Sequence, residues 1–480
     1  MAAHKLRDFF ESHTDVCFLR FLVMDHSSAL RVSVMPRAAA LDVAEHGSFN
    51  SPASAFVCAA THFDKPNWDA FRPGVDKIIP DWDSLRVCTF YSTHAMVMCA
   101  VREPIIGARV TEAEDESERN QSTSTTSKRV ELVNSGSQGS TKASIGSSDD
   151  NDGFDLCPRT ILAKQTNRAG RIRSEIDILV GIELEFYLYK PVSDSDFTRP
   201  KPNSNFNISA LYDHQVTHIV DEISLVLAEA DINIMKYLPE MGASGLFELV
   251  LPPYGPMKAA DAMVYCRETI KNVAQKHGYK ATLCPSPFEH GARLGAHTSI
   301  SINSDAATAD SFLGGILESL ISICAFAMPS VQSGKRYAHV GPMGLVRWGK
   351  DNKVCVVRER RPGLWEVRCP DGTMNPYLTI AALIAAGISG IETEKKLTIK
   401  PSPSISIKPL TDEEKSELGI VDSIPDSLAP LLAALKKDVV LKTTLGDRFV
   451  QAYTKVKELE IEVSKDMTLQ EISERLRVVF

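Results

Sequence analysis

The chain has 480 residues, more than one ordinary hydrophobic core accommodates, so two domains are expected. Apolar residues make up 44% and charged residues 24%, the proportions of a soluble globular protein, and a net charge of −8 argues against a nucleic-acid-binding face. Residues 1–10 are too polar for a signal peptide, and the longest apolar runs, 312–329 and 377–391, are interrupted or too short to cross a membrane. A cytoplasmic protein with no membrane partner is therefore expected, with those runs as buried helices. Its 10 cysteines stand singly, with no Cys-x-x-Cys pair, which reads as reduced, buried thiols.

In chain order, residues 16–24 and 30–35 predict two short strands separated by Asp25-His-Ser-Ser. Residues 87–91 and 95–101 predict a hairpin joined by Ser92-Thr-His. Together they give a small β-rich N-terminal domain, assigned to residues 14–109. Residues 110–155 are rich in Ser, Thr, Asn, Asp, Glu and Gly, with no aromatic side chain before Phe154. Such a segment buries too little surface to order itself, so a disordered polar insertion is expected. A second domain is assigned to residues 156–480.

Within it, residues 180–189 read Val-Gly-Ile-Glu-Leu-Glu-Phe-Tyr-Leu-Tyr, the period-two pattern of a half-buried strand. Glu183 and Glu185 then share one face, ~6.8 Å apart. A helix follows near 211–230, a strand near 246–251, and an amphipathic helix over 261–277 that stops at Gly278. Residues 296–303 alternate again, with His297 on the polar face, and 365–369 place Glu366 and Arg368 on one face. Thr468 with Glu471 is the capping-box signature of a last helix.

The polar positions of these strands offer Glu183, Glu185, His297 and Glu366, and the stretch from Glu240 to Glu248 adds those two carboxylates around a glycine-containing turn. That many carboxylates converging on one cavity need cations, and hard oxygen ligands point to Mg²⁺ or Mn²⁺, two ions or more. Lys335, Arg336, Lys353, Arg358 and Arg368 add groups suited to phosphate and carboxylate oxygens. Two divalent ions with arginines are the equipment of phosphoryl transfer from ATP.

The chain resembles the glutamine synthetase superfamily over nearly its whole length outside the insertion. The resemblance is carried by Gly-Ile-Glu-Leu-Glu-Phe at 181–186, Glu240 to Glu248 around Gly245, and Leu-Gly-Ala-His at 294–297. Lys335-Arg336, Trp348-Gly with Asn352 and Arg358, Glu366-Val-Arg368, Pro370-Asp and Asn-Pro-Tyr-Leu at 375–378 continue it. It implies an α+β fold: an N-terminal β-grasp domain, then a catalytic domain on a curved antiparallel sheet with helices. It also implies ring-shaped homo-oligomers with active sites between neighbouring subunits. Glu185, Glu240 and Glu248 would hold a first metal, and Glu183, His297 and Glu366 a second beside the ATP phosphates. Arg336 and Arg368 match arginines near the glutamate substrate, while Lys353, Arg358 and Ser301 match nucleotide-binding positions. The implied reaction has two steps: ATP phosphorylates the γ-carboxylate of glutamate, and an amine attacks the acyl phosphate.

The departures bear on the amine. The family's Asn-Gly ahead of the catalytic histidine is Ala292-Arg293 here, its usual arginine after Trp-Gly-x-x-Asn is Lys353, and Leu246 stands where a glutamine is usual. The mobile-loop glutamate has Pro342 in its register, and residues 49–56 contain no acid to match the family's ammonium-binding aspartate. The expectation is a glutamate–amine ligase acting on an amine other than ammonia. The alternatives are a true glutamine synthetase and a catalytically silent scaffold of the same fold.

Overall fold

The computed structural model describes residues 1–51, 61–63, 76–102, 156–191, 197–198, 214–240, 245–288, 292–338, 344–403 and 409–480. The predicted insertion at 110–155 lies outside the described residues, as do Pro342 and residues 52–56.

The N-terminal part comprises helix α1 (Ala2–Ser12), strands β1 (Phe18–Met24) and β2 (Leu30–Pro36), helix α2 (Arg37–His46), and strands β3 (Phe49–Ser51), β4 (Asp76–Pro80), β5 (Arg86–Val87) and β6 (His94–Arg102). The strands form one sheet in the order β2-β1-β6-β4-β3, with β5 also on β6. β1 runs antiparallel to β2 and parallel to β6, the β-grasp arrangement. The β1–β2 turn is closed by Asp25, whose carboxylate accepts from Ser27 Oγ at 2.7 Å and from the Ala29 amide at 2.8 Å. The predicted hairpin at 87–101 is shorter than expected, because only Arg86 and Val87 pair with β6. Thr89 is drawn off the sheet instead: its hydroxyl donates to Val226 O at 2.6 Å and its amide to Tyr265 Oη at 3.0 Å. Helices α1 and α2 were not expected from the sequence; α1 buries Leu6 and Phe10, one turn apart, in the core beneath the sheet.

The remainder follows as α3 (Pro158–Ile172), β7 (Ile178–Pro191), β8 (Phe197–Thr198), α4 (His214–Glu229), β9 (Lys236–Pro239), β10 (Leu246–Val250), α5 (Pro256–Lys276), β11 (Lys280–Thr282) and β12 (Ala296–Ile302). Next come α6 (Ala306–Glu318), α7 (Leu320–Ala327), α8 (Ser333–Ala338), β13 (Trp348–Lys350), β14 (Val357–Arg361) and β15 (Leu364–Val367). The chain ends in α9 (Pro376–Glu392), α10 (Asp412–Leu418), α11 (Leu428–Lys437), α12 (Val439–Leu445), α13 (Asp447–Ser464) and α14 (Leu469–Val479).

The second sheet has the order β13-β14-β15-β12-β7-β10-β9, with β8 and β11 also on β7, and it is antiparallel apart from β13–β14. Both long apolar runs are buried helices, α6–α7 and α9. Asn375 starts α9 by accepting from the amides of Tyr377 and Leu378 at 3.1 and 3.3 Å, ahead of Pro376 in the first turn. The predicted helix at 261–277 begins earlier, at Pro256, and is followed by Gly278 at φ +72°. Thr468 and Glu471 make the reciprocal bonds of a capping box on α14. No single helix among the described residues is long and apolar enough to cross a membrane.

Candidate active site

β7 is the axis of the site. Its 14 residues alternate buried and partly exposed positions from Ile178 to Leu184, as the sequence predicts. Beyond that both faces are covered, because Tyr187 and Tyr189 pack with Leu246, Phe288 and Leu294 in a separate apolar cluster. Antiparallel register places His297 of β12 opposite Glu183, and Glu248 of β10 opposite Glu185. β15 carries Glu366 on the far side of β12, opposite Ser299.

These pairings produce two acidic groups. In one, His297 Nδ1 lies 3.4 Å from Glu183 Oε2 and 3.6 Å from Glu366 Oε1. One ligand atom from each of these three residues falls within 4.8 Å of the others, a spacing that fits a metal ion. Glu366 is only 1% exposed. Partial burial would raise the Glu183 carboxyl, yet its hydrogen bond and charge interaction with His297 hold it below the ordinary range.

The other group is Glu185, Glu240 and Glu248. Glu185 Oε2 accepts from the Gly295 amide at 2.6 Å, which fixes its direction. Glu240 follows β9, and its amide donates to Leu246 O at 3.0 Å, which carries it beside β10. Burial, then the negative charges of Glu183, Glu185 and Glu240, push the Glu248 carboxyl up to about 7. The cation nearest to it is Lys236, at 3.8 Å. Carboxylates crowded in this way are what a hard divalent ion satisfies. Of the two groups, Glu183, His297 and Glu366 bring one ligand atom each close enough to share a divalent ion.

The arginines surround the first group. Arg336, on α8, donates to Cys369 O at 3.0 Å, to Arg368 O at 3.2 Å and to His297 Nε2 at 3.3 Å, leaving the histidine's Nδ1 toward the carboxylates. This packing is close: a Cβ on Gly295 would stand 2.5 Å from Arg336 Nη2 and 3.0 Å from His297 Nε2. Arg358 bridges Glu366, at 2.9 Å, and Asp351, while Arg368 pairs with Glu366. Arg360 was missed in the sequence; its Nη1 is 3.3 Å from Glu183 Oε1. The signal was partial: Arg360 is two residues after Arg358 in β14, but the strand's register shifts between Glu359 and Arg361. Lys353 is exposed in the turn after β13, near the Asp351 that holds Arg358. Ser301 sits further along β12 on the His297 face, paired across to Leu179 and Leu364.

Arg293, one of the departures, donates to Phe288 O at 2.8 Å, and no carboxylate among the described residues is shown paired with it. With Lys335, Arg477 and the start of α14 it lines a cavity of about 560 Å³. Glu474 also lines it, so three cations and one carboxylate face this cavity.

Residues 155–474 match the glutamine synthetase catalytic domain. Protein fluG of Emericella nidulans is 33% identical over 322 residues, covering 65% of this chain and 36% of that protein. The glutamine synthetase of Methanocaldococcus jannaschii is 31% identical over 307 residues, 59% of this chain and 66% of its own length. The chain thus spans less than two thirds of the length of these relatives. Among solved structures, GmaS without ligand aligns with a TM-score of 0.72 at 23% identity, over 96% of this chain and 97% of that one. The GmaS/ADP complex aligns with a TM-score of 0.73 at 22% identity, over 97% and 98%. These two are likenesses of fold.

Proposed function

The chain belongs to the glutamine synthetase family, and we propose that it is an ATP-dependent ligase joining the γ-carboxylate of glutamate to an organic amine. The observation that carries the reading is the meeting of Glu183, His297 and Glu366 at one point, ringed by Arg336, Arg358 and Arg368. No metal-ligand position of the family is lost, which weighs against a silent scaffold. We assign residues 14–109 to the N-terminal unit and 156–480 to the catalytic one.

Glu183, His297 and Glu366 would hold one divalent ion, and Glu185, Glu240 and Glu248 another. When bound, Mg²⁺ or Mn²⁺ neutralises phosphate charge as the phosphoryl group transfers. Arg358 and Lys353 are assigned to the nucleotide phosphates, and Ser301 to the nucleotide pocket. Arg336 and Arg368 face the acyl substrate. In the first step a γ-carboxylate oxygen takes the terminal phosphoryl group of ATP, releasing ADP. In the second, the amine nitrogen bonds to that carbonyl carbon, inorganic phosphate leaves, and the nitrogen gives up a proton. Arg336 and Arg368 are placed to offset the negative charge that develops on the acyl oxygens.

The acceptor follows from what the sequence lacks. Ammonium needs anionic groups to hold it and a base to expose its lone pair. Pro342 stands in the register of the loop glutamate, and residues 49–56 carry no acid. A larger amine binds instead through its carbon body, at about 25 cal/mol per Å² of apolar surface removed from water. We take the protein to be a ring-shaped homo-oligomer, as the family implies. The test is ADP release with glutamate, ATP, Mg²⁺ and a panel of amines. Release that depends on both glutamate and an amine supports the reading, and none with any amine favours the scaffold.

A further inference from the structure

A second cluster of metal-ligating side chains lies away from the acidic groups, where α4 meets the C-terminal end of α5. His218 and Glu222 are one turn apart on α4 and so share a face. His277 is the residue that ends α5. Its Nε2 is 2.6 Å from Glu222 Oε2, and its ring stands edge-on to that of His218, centroids 5.5 Å apart at 82°. One ligand atom from each of the three falls within 4.8 Å of the others. Lys276 Nζ holds the other carboxylate oxygen, Glu222 Oε1, at 2.7 Å. This bond engages one carboxylate oxygen and leaves the other, Oε2, to His277.

We propose that His218, Glu222 and His277 bind one transition-metal dication of the zinc class, joining α4 to the end of α5. Two imidazole nitrogens and one carboxylate oxygen form a mixed donor set that suits Zn²⁺, Co²⁺, Ni²⁺ or Cu²⁺. Mg²⁺ and Mn²⁺, the ions suited to the carboxylates around Glu185, prefer oxygen throughout and compete poorly here. His218 is exposed and the other two residues are partly so, which gives the ion an entry path and leaves a position for water. Lys276 acts as a positioning residue that orients the carboxylate, and loss of such outer partners weakens metal sites by about 10–100-fold.

The site involves none of the residues assigned to ligation chemistry, so its test is separate from that of the proposed activity. The intact protein is stripped with chelator, returned to excess Mg²⁺ to occupy the oxygen-ligand sites, and titrated with Zn²⁺ by calorimetry and with Co²⁺ by visible absorption. One Zn²⁺ equivalent that persists in excess Mg²⁺ is expected, with an intense, tetrahedral-type Co²⁺ spectrum. His277→Gln and, independently, the exposed His218→Asn should each weaken it at least 100-fold. Glu183→Ala should leave it intact. Zinc binding unchanged in both histidine variants, loss of that equivalent in Glu183→Ala, or no zinc bound over Mg²⁺ would each overturn the assignment.

Discussion

Glu185 and Glu248 stand directly opposite each other on the antiparallel pair β7–β10, both nearly buried, with Glu240 beside them. Like charges in that position destabilise a sheet. The pair is intelligible as a cation site held open at some cost in stability. Glu248→Gln should therefore raise the melting temperature of the metal-free protein by a few degrees. It should also abolish most of the further rise that Mn²⁺ gives the wild type. Thermal unfolding with EDTA and with Mn²⁺ reads both effects; an unshifted metal-free midpoint with the full Mn²⁺ gain would contradict the assignment.

Gly295 is where the backbone meets the side chains assigned to the site. Its amide orients Glu185, and its missing Cβ lets Arg336 lie against His297. Gly295→Ala should leave the melting temperature within a degree or two and displace the Arg336 guanidinium. Misplacement of about 1 Å in such a group costs on the order of 10²-fold in turnover. Steady-state kinetics should place that loss in kcat/KM for the acyl substrate, with little change in KM for ATP.

How much of this was legible from sequence depended on whether one face of each element met water. Glu183 and Glu185 stood out because β7 alternates up to Leu184; past it Tyr187 and Tyr189 are covered by Phe288 and Leu294, and the pattern no longer separates two faces. Glu240 has no such signal, since it follows the end of β9 in no regular element, and it was picked out only as the first carboxylate of the glycine-containing stretch that ends at Glu248. Arg360 was hidden in Arg-Glu-Arg-Arg, which reads as a solvated charge run until β14 is paired with β15. Helix α1 escaped because it has no side-chain cap and a narrow apolar stripe, Leu6 and Phe10. Helix α2 follows β2 without a linking residue, its N-cap being Pro36.

Acid stability should be set by a buried cluster where the N-terminal sheet meets α13. Burial holds His26 down to about 4, while its Nε2–H donates to Leu156 O at 2.8 Å. Burial likewise drives His62 well below its ordinary range, with Lys457, Arg31 and Arg475 adding to the effect. Both histidines are neutral in the folded protein and take up protons near 6.5 once unfolded. Their contribution to stability is present above pH 6.5 and is lost as pH falls, for His26 through about 4, amounting to ~3 kcal/mol for that residue alone. Glu460 works the other way: burial, opposed by Lys457, pushes it up to about 7, so its contribution is present at low pH and lost as pH rises through 7. Asp25, also raised by burial despite Arg31, adds in the Glu460 sense. Glu460→Gln should thus steepen the loss of stability between pH 6.5 and 4.5, measured by denaturant unfolding across that range. A shallower dependence in the variant would contradict the sign.

The central claim is the identity of the acceptor. Its most direct measurement is competition: glutamate, ATP and Mg²⁺ with equal concentrations of ammonium and a mixed pool of organic amines, and products identified by mass. A γ-glutamyl amide of an organic amine is the expected main product, with glutamine minor even at high ammonium. Glutamine as the dominant product would contradict it and place this chain with the ammonia-using members of its family.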